Sequence, residues 1–157
     1  MNYISGILFN QKALDGKIRI PKGSTLTLDK DYLFYNGKKI CFKKSQNAFD
    51  FFARNDDGNG KQRYALTHEI LTLIANMRKE YEQAVANALK GFEKDEEGNY
   101  PQEAHDAVSA IENKPKVFFD AVHADNVFKK FLKNGYWCFE FFNAEIADLE
   151  RLKALLA

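Results

Sequence analysis

At 157 residues, 45% of them hydrophobic and with 14 Phe and 7 Tyr, the chain is long enough to bury a core without disulfides or metals, and disorder is excluded as an overall description. A formal net charge of +1 lacks the strong basic excess usual in nucleic-acid-binding proteins. No basic leader with a cleavage site opens the chain and no apolar run reaches membrane-spanning length, so the expectation is one cytoplasmic domain over 1–157 with no membrane partner.

The net charge hides a division. Residues 1–63 hold twelve Lys and Arg against six Asp, or +6, while the remainder holds eleven against sixteen Asp and Glu, or −5. A split of this kind points to an anionic partner for the first half, or to mutual attraction between two layers. The two cysteines, Cys41 and Cys138, lie within apolar runs that read as strands, which predicts buried free thiols and no disulfide framework.

Taken in order, the basic part over 1–44 is β-rich. Tyr3 to Phe9 is a first strand, Lys17 to Ile20 stops at Pro21, and Thr25 to Leu28 alternates cleanly. Asp15-Gly16 and Asn36-Gly37 are two-residue hairpin turns. Across the second, the register pairs Tyr35 with Lys38, Phe34 with Lys39, Leu33 with Ile40 and Tyr32 with Cys41. The whole is an antiparallel meander with aromatic or aliphatic groups on both faces.

The part over 45–157 is acidic and mainly helical. Ser45 or Asn47 caps a short helix through Arg54 that carries Phe49, Phe51 and Phe52. The spine follows: Leu66, Ile70, Leu73, Ile74, Met77, Tyr81, Ala84, Val85, Ala88, Leu89 and Phe92 recur at three- and four-residue steps, and Lys79 and Glu82 lie opposite. This is one amphipathic helix roughly 40 Å long, with Ile74 and Val85 expected inside. After an acidic, glycine-ended exit, Pro101 begins a helix with Ala104, Ala107, Val108 and Ile111 on its apolar side. That helix ends before Pro115, with Lys114 pushed out of the helical region. Lys116 to Val122 suits either strand or helix. Asp125 caps a further helix over Val127, Phe128, Phe131 and Leu132, closed by Asn134-Gly135. Tyr136 to Phe142, apolar on both sides, reads as an interior strand. Asn143 caps a last helix with Ile146, Leu149, Leu152, Leu155 and Leu156 inside. The fold class is α+β: a meander packed on a long central helix, then shorter helices, one late strand and a C-terminal helix.

The run Asn55-Asp56-Asp57-Gly58-Asn59-Gly60 resembles the opening of an EF-hand calcium loop, with Asn55, Asp57 and Asn59 as early oxygen ligands and glycine at the sixth position. Leu66 stands where that loop needs its bidentate Glu and Gln62 where it carries an aliphatic residue, so a plain surface loop is preferred. No cofactor is expected. His68, His105 and His123 stand at no metal-ligand spacing, and Thr72 occupies the position of a zinc-peptidase helix's second histidine. A Cys138 nucleophile paired with His105 or His123 is disfavoured by its apolar neighbours Trp137 and Phe139. What remains is basic and aromatic: Tyr32, Phe34, Lys38, Lys39, Lys43, Lys44 and Arg54 form a candidate binding surface. The expectation is a non-catalytic accessory protein, of the kind a phage or mobile element carries, that binds another protein. A single-stranded nucleic acid held by this basic hairpin is the second reading, and an enzyme whose site assembles only in the fold is the third.

Overall fold

The computed structural model describes residues 3–6, 11–12, 19–20, 24–30, 32–42, 53–55 and 57–157. In chain order these form β1 (Tyr3–Gly6), β2 (Gln11–Lys12), β3 (Arg19–Ile20), β4 (Thr25–Asp29), β5 (Tyr32–Tyr35), β6 (Lys38–Phe42) and β7 (Ala53–Arg54). Then come α1 (Gly60–Leu89), α2 (Gln102–Ser109), α3 (Lys114–Ala124), a 3-10 turn (Phe128–Lys130), β8 (Leu132–Lys133), β9 (Tyr136–Trp137), α4 (Phe139–Phe142) and α5 (Ile146–Ala154). The class is α+β, as the sequence predicts.

Turn chemistry sets the sheet. Asn36 and Gly37 take φ of 48° and 77°, the two positive values that let a two-residue hairpin follow the strand twist. The sheet runs β6-β5-β4-β1-β7, all antiparallel, and β2 pairs with β3 separately. Near the turn the register is as expected, Tyr35 opposite Lys38 and Phe34 opposite Lys39. Beyond it the ladder shifts, so that Leu33 opposes Cys41 and Tyr32 opposes Phe42. One extra residue on β6 is accommodated as a bulge, which leaves Ile40 without an opposite residue while it is buried with Leu26 and Leu33. The predicted Asp15-Gly16 turn, Pro21 and most of the predicted helix from Ser45, with Phe49, Phe51 and Phe52, lie outside the described residues. Its end is a strand instead: Ala53 and Arg54 pair with Gly6 and Ser5 along the edge of β1.

α1 is 30 residues long and begins six residues before the apolar stripe. It stops at Leu89 because Gly91 turns the chain at φ 87°. The stripe is covered in its first half only. Leu66, Ile70 and Ile74 are buried, whereas Met77, Tyr81, Ala84 and Ala88 are half-buried, and so is Val85, against expectation. At 1.5 Å per residue the helix is about 45 Å long, which outruns the layer packed on it.

The predicted break at Pro115 becomes a helix start. Asn113 accepts a hydrogen bond from the Lys116 N–H at 3.1 Å, Lys114 is the first helical residue of α3, and Pro115 sits where its missing N–H leaves no bond unmade. This settles Lys116 to Val122 as helix. Pro101 stands one position outside α2, as its N-cap. Asp125 Oδ1 does accept from the Val127 and Phe128 N–H groups at 2.8 and 3.0 Å, but the element it opens is the short 3-10 turn. Asn134 and Gly135, at φ 53° and 81°, then close the β8–β9 hairpin and end no helix.

The predicted strand from Tyr136 to Phe142 is also corrected. Only Tyr136 and Trp137 pair, and Phe139–Phe142 is a helical turn. The physical reason is local hydrogen bonding: the Phe141 N–H donates to the Cys138 carbonyl at 3.0 Å and the Asn143 N–H to the Phe139 carbonyl at 3.1 Å, which closes a helical turn in place of a ladder, and both Phe141 and Phe142 are buried in it. Asn143 does not cap α5, whose N-cap is Glu145; its side chain donates to the Phe139 carbonyl at 2.9 Å and closes α4. A single apolar cluster joins Leu26, Leu33 and Ile40 of the sheet to Ile70 and Ile74 of α1 and to residues of α3, α4 and α5. Among the described residues no helix is long and apolar enough to cross a membrane.

The uneven cover of α1 predicts uneven mutational losses. Ile74→Ala should lower stability by about 2–4 kcal/mol, Val85→Ala by about 1 and Lys79→Ala by almost nothing in urea unfolding. Equal losses at positions 74 and 85 would contradict the half-covered stripe.

Candidate functional site

The loop before α1 is held together by its own polar groups. Asn55 Oδ1 accepts from the Gly60 N–H at 2.8 Å, and Asp57 Oδ1 accepts from the Asn59 N–H at 3.0 Å, which satisfies orphan donors at the helix N-terminus. The approach is so close that a Cβ on Gly60 would lie 2.7 Å from Asn55 Oδ1; glycine is required there by proximity. Arg63, one turn into α1, is 0% exposed. Its Nε donates to the Ala144 carbonyl at 2.7 Å and its Nη1 to the Arg54 carbonyl and to Asp57 Oδ1, while Nη2 meets Asp57 Oδ2. Arg54 in turn donates to the Asn143 carbonyl at 2.9 Å, to Asp57 at 3.2 Å and to Glu145 at 3.1 Å. Two arginines thus clamp β7, the loop, α1 and the segment between α4 and α5.

This geometry places the calcium-like residues. Asp57 faces two guanidinium groups and Asn55 faces a helix N–H, so two of the three early ligand positions are turned to the protein's own donors. Among the described residues no group of three or more His, Cys, Asp or Glu stands where it could share a metal ion. Addition of millimolar calcium should leave the melting temperature unchanged; a clear rise would reveal a native-state site.

The basic and aromatic candidates are brought together only in part. Tyr32 and Phe34 share one face of β5, and Lys39, opposite Phe34, sits with its Nζ 4.4 Å from the centre of the Tyr32 ring. Lys38 and Lys39 are exposed and the two rings half-buried. Arg54 is engaged in the clamp, and Lys43 and Lys44 lie outside the described residues. Of the histidines, His105 and His123 are exposed on α2 and α3, and His68 is half-buried with its ring 4.1 Å from that of Tyr64. Cys138 is half-buried, with Sγ 3.0 Å from the Lys130 carbonyl and 2.9 Å from Glu140 Oε2. Burial, and then the Glu140 carboxylate beside it, push its thiol above the ordinary range, which opposes formation of a nucleophilic thiolate.

The uncovered half of the α1 stripe lines a groove that the sequence reading missed. Leu73 and Met77 of α1, Val117 of α3, and Leu155 just after α5 wall a cavity of about 430 Å³. A second hollow of about 160 Å³ adjoins it at Met77 and continues past Tyr81, Ala84 and Ile111. Val117 is 65% exposed and Leu155 43%. Glu80, Glu112 and Lys114 border both hollows. The walls come from segments far apart in sequence, so periodicity alone could not assemble them. The one usable signal was the length of the stripe, which exceeds what the remaining helices can cover. Arg63 had a signal as well: it falls in phase with Leu66, Ile70 and Ile74, on the inner side of α1.

Compared with known proteins, the chain matches no protein-family model, no curated protein and no solved structure.

The clamp carries a pH dependence. Hydrogen bonds from Arg63, opposed by partial burial, hold the Asp57 carboxyl well below its ordinary value of 3.8. A depressed carboxyl contributes stability that is complete above the unfolded value and is lost as pH falls below it. Asp57→Asn should therefore cost about 2 kcal/mol near neutrality, with the difference from the parent narrowing below about pH 4. Urea unfolding of both proteins across that range measures it, and a constant difference would contradict the ionic clamp.

Proposed function

We propose that the protein acts without a catalytic centre of its own, by binding another protein through the groove beside α1. The observation that carries this reading is the exposure of Val117 and Leu155 in the lining of one hollow. Single exposed apolar side chains are ordinary on soluble domains, but two that converge with the half-buried Leu73 and Met77 form a concave patch of the kind protein partners cover. The lining mixes the apolar Leu73, Met77, Val117 and Leu155 with Asn76, Glu80, Glu112 and Lys114, and protein interfaces combine apolar and polar groups in the same way.

A single-stranded nucleic acid is the second reading. What supports it is the hairpin face where Tyr32, Phe34 and Lys39 meet; what weighs against it is that Lys39 already covers one face of the Tyr32 ring, which a stacking base would need.

Because Val117 and Leu155 are exposed, Val117→Asp and Leu155→Asp should change stability by no more than ~0.5 kcal/mol. A photo-crosslinking residue at position 117 should capture a protein in the native host, and Leu155→Asp should abolish the capture. Loss of the product on nuclease treatment, or indifference to Leu155→Asp, would overturn the reading. In parallel, fluorescence anisotropy with labelled single-stranded DNA should detect no binding at physiological salt. Binding that weakens steeply with salt and is lost on joint replacement of Lys38 and Lys39 by Gln would move nucleic acid to first place.

A further inference from the structure

We infer that the groove takes an amphipathic α-helix whose apolar stripe is flanked by Lys or Arg; this rests on the protein-binding reading above and names its partner. Shape is the first argument. Leu73, Met77, Tyr81 and Ala84 follow one another along α1 over about 16 Å at 1.5 Å per residue, which matches about three turns of a helix laid alongside. Val117 borders the first hollow and Ile111 the second, so each is bounded by an apolar residue from outside α1. Apolar residues at i, i+4 and i+7 on an incoming helix would meet this row as a ridge meets a groove.

Backbone chemistry is the second argument. The lining comes from α1, from the start of α3 and from the turns that follow α2 and α5, and among the described residues no strand borders either hollow, so there is no row of strand N–H and C=O groups to pair with. An extended peptide would lose backbone hydration there with little in return, whereas a helix brings its own hydrogen bonds. Charge supplies the third. Glu80 and Glu112 are exposed on the rim common to both hollows, and among the described residues neither is in an ion pair. Among the described residues lining the two hollows the one cationic side chain is Lys114, so the lining is net negative and favours a cationic flank, which would steer the approach as well as fix the register.

The test uses three fluorescein-labelled peptides of sixteen residues: an alanine-based helix with Leu at i, i+4, i+7 and i+11 and Lys on both flanks, the same helix with Glu in place of Lys, and the Lys peptide with two central prolines. Anisotropy at low salt should show the Lys helix binding at least ~10-fold tighter than the Glu helix, and the proline peptide not binding. The double variant Glu80→Lys with Glu112→Lys should reverse the preference, and Val117→Asp should abolish binding of either helix. Equal affinity for the two helices, or a preference unmoved by the double variant, would overturn the basic flank. If neither helix binds but the Val117 photo-crosslink to a host protein persists, the helical occupant is overturned and the protein-binding reading stands. If the photo-crosslink is also absent, both fall.

Discussion

Arg63 enters the fold as a permanently charged group at a position with no solvent contact, and the surrounding structure is arranged to satisfy it. Taking a guanidinium out of water costs several kcal/mol even after relaxation, and only close hydrogen bonds and a counter-charge offset that. Here the counter-charge is Asp57, and Nε and Nη1 also donate to the carbonyls of Ala144 and Arg54. Three segments must therefore be in place together: the end of the sheet at β7, the loop before α1, and the bend between α4 and α5. A neutral residue of similar size could fill the same space, but it would leave these carbonyls without donors.

Around that fixed point the aromatic residues do the packing. Phe128, Phe131, Phe141 and Phe142 follow one another at ring-centre separations of 5.0 to 5.9 Å, and Trp137 lies 4.6 Å from Phe141. The short 3-10 turn, the β8–β9 hairpin and α4 are too small to persist by themselves. Their shape follows from the need to bring these rings onto the first half of α1. The second half receives no such cover, and the groove is what that asymmetry leaves.

Where periodicity was strong, the sequence was legible. The stripe from Leu66 to Ile74 and the hairpin turn at Asn36-Gly37 needed only local rules. Failure was concentrated where a tertiary contact overrides a local preference. Nothing near Ala53 announces that β1 has an edge to be paired, and nothing near Phe139 announces that Phe141 and Phe142 must both turn inward. Asn134-Gly135 is the same dipeptide as Asn36-Gly37, yet it read as a helix end because Phe128 to Leu132 looked helical before the packing was known. Pro115 shows the opposite error, a local rule applied too strictly, since a proline that closes one helix can equally well open the next. As for the candidate residues, Lys39 lies opposite Phe34 and over the Tyr32 ring, while Arg54 belongs to the clamp.

The clamp has a consequence for the order of events at the ribosome. Arg63 is 81 residues from the carbonyl its Nε needs, and Arg54 is 89 and 91 residues from its partners on Asn143 and Glu145. Synthesis from the N-terminus delivers the sheet and α1 first, when those acceptors do not yet exist. Until Ala144 has emerged, the Arg63 Nε–H must stay with water, which keeps the base of α1 from closing against its final neighbours. The sheet can cover part of the inner side of α1 early, since Leu26, Leu33 and Ile40 pack in one cluster with Ile70 and Ile74, but the base of the helix closes only once the segment between α4 and α5 has been made.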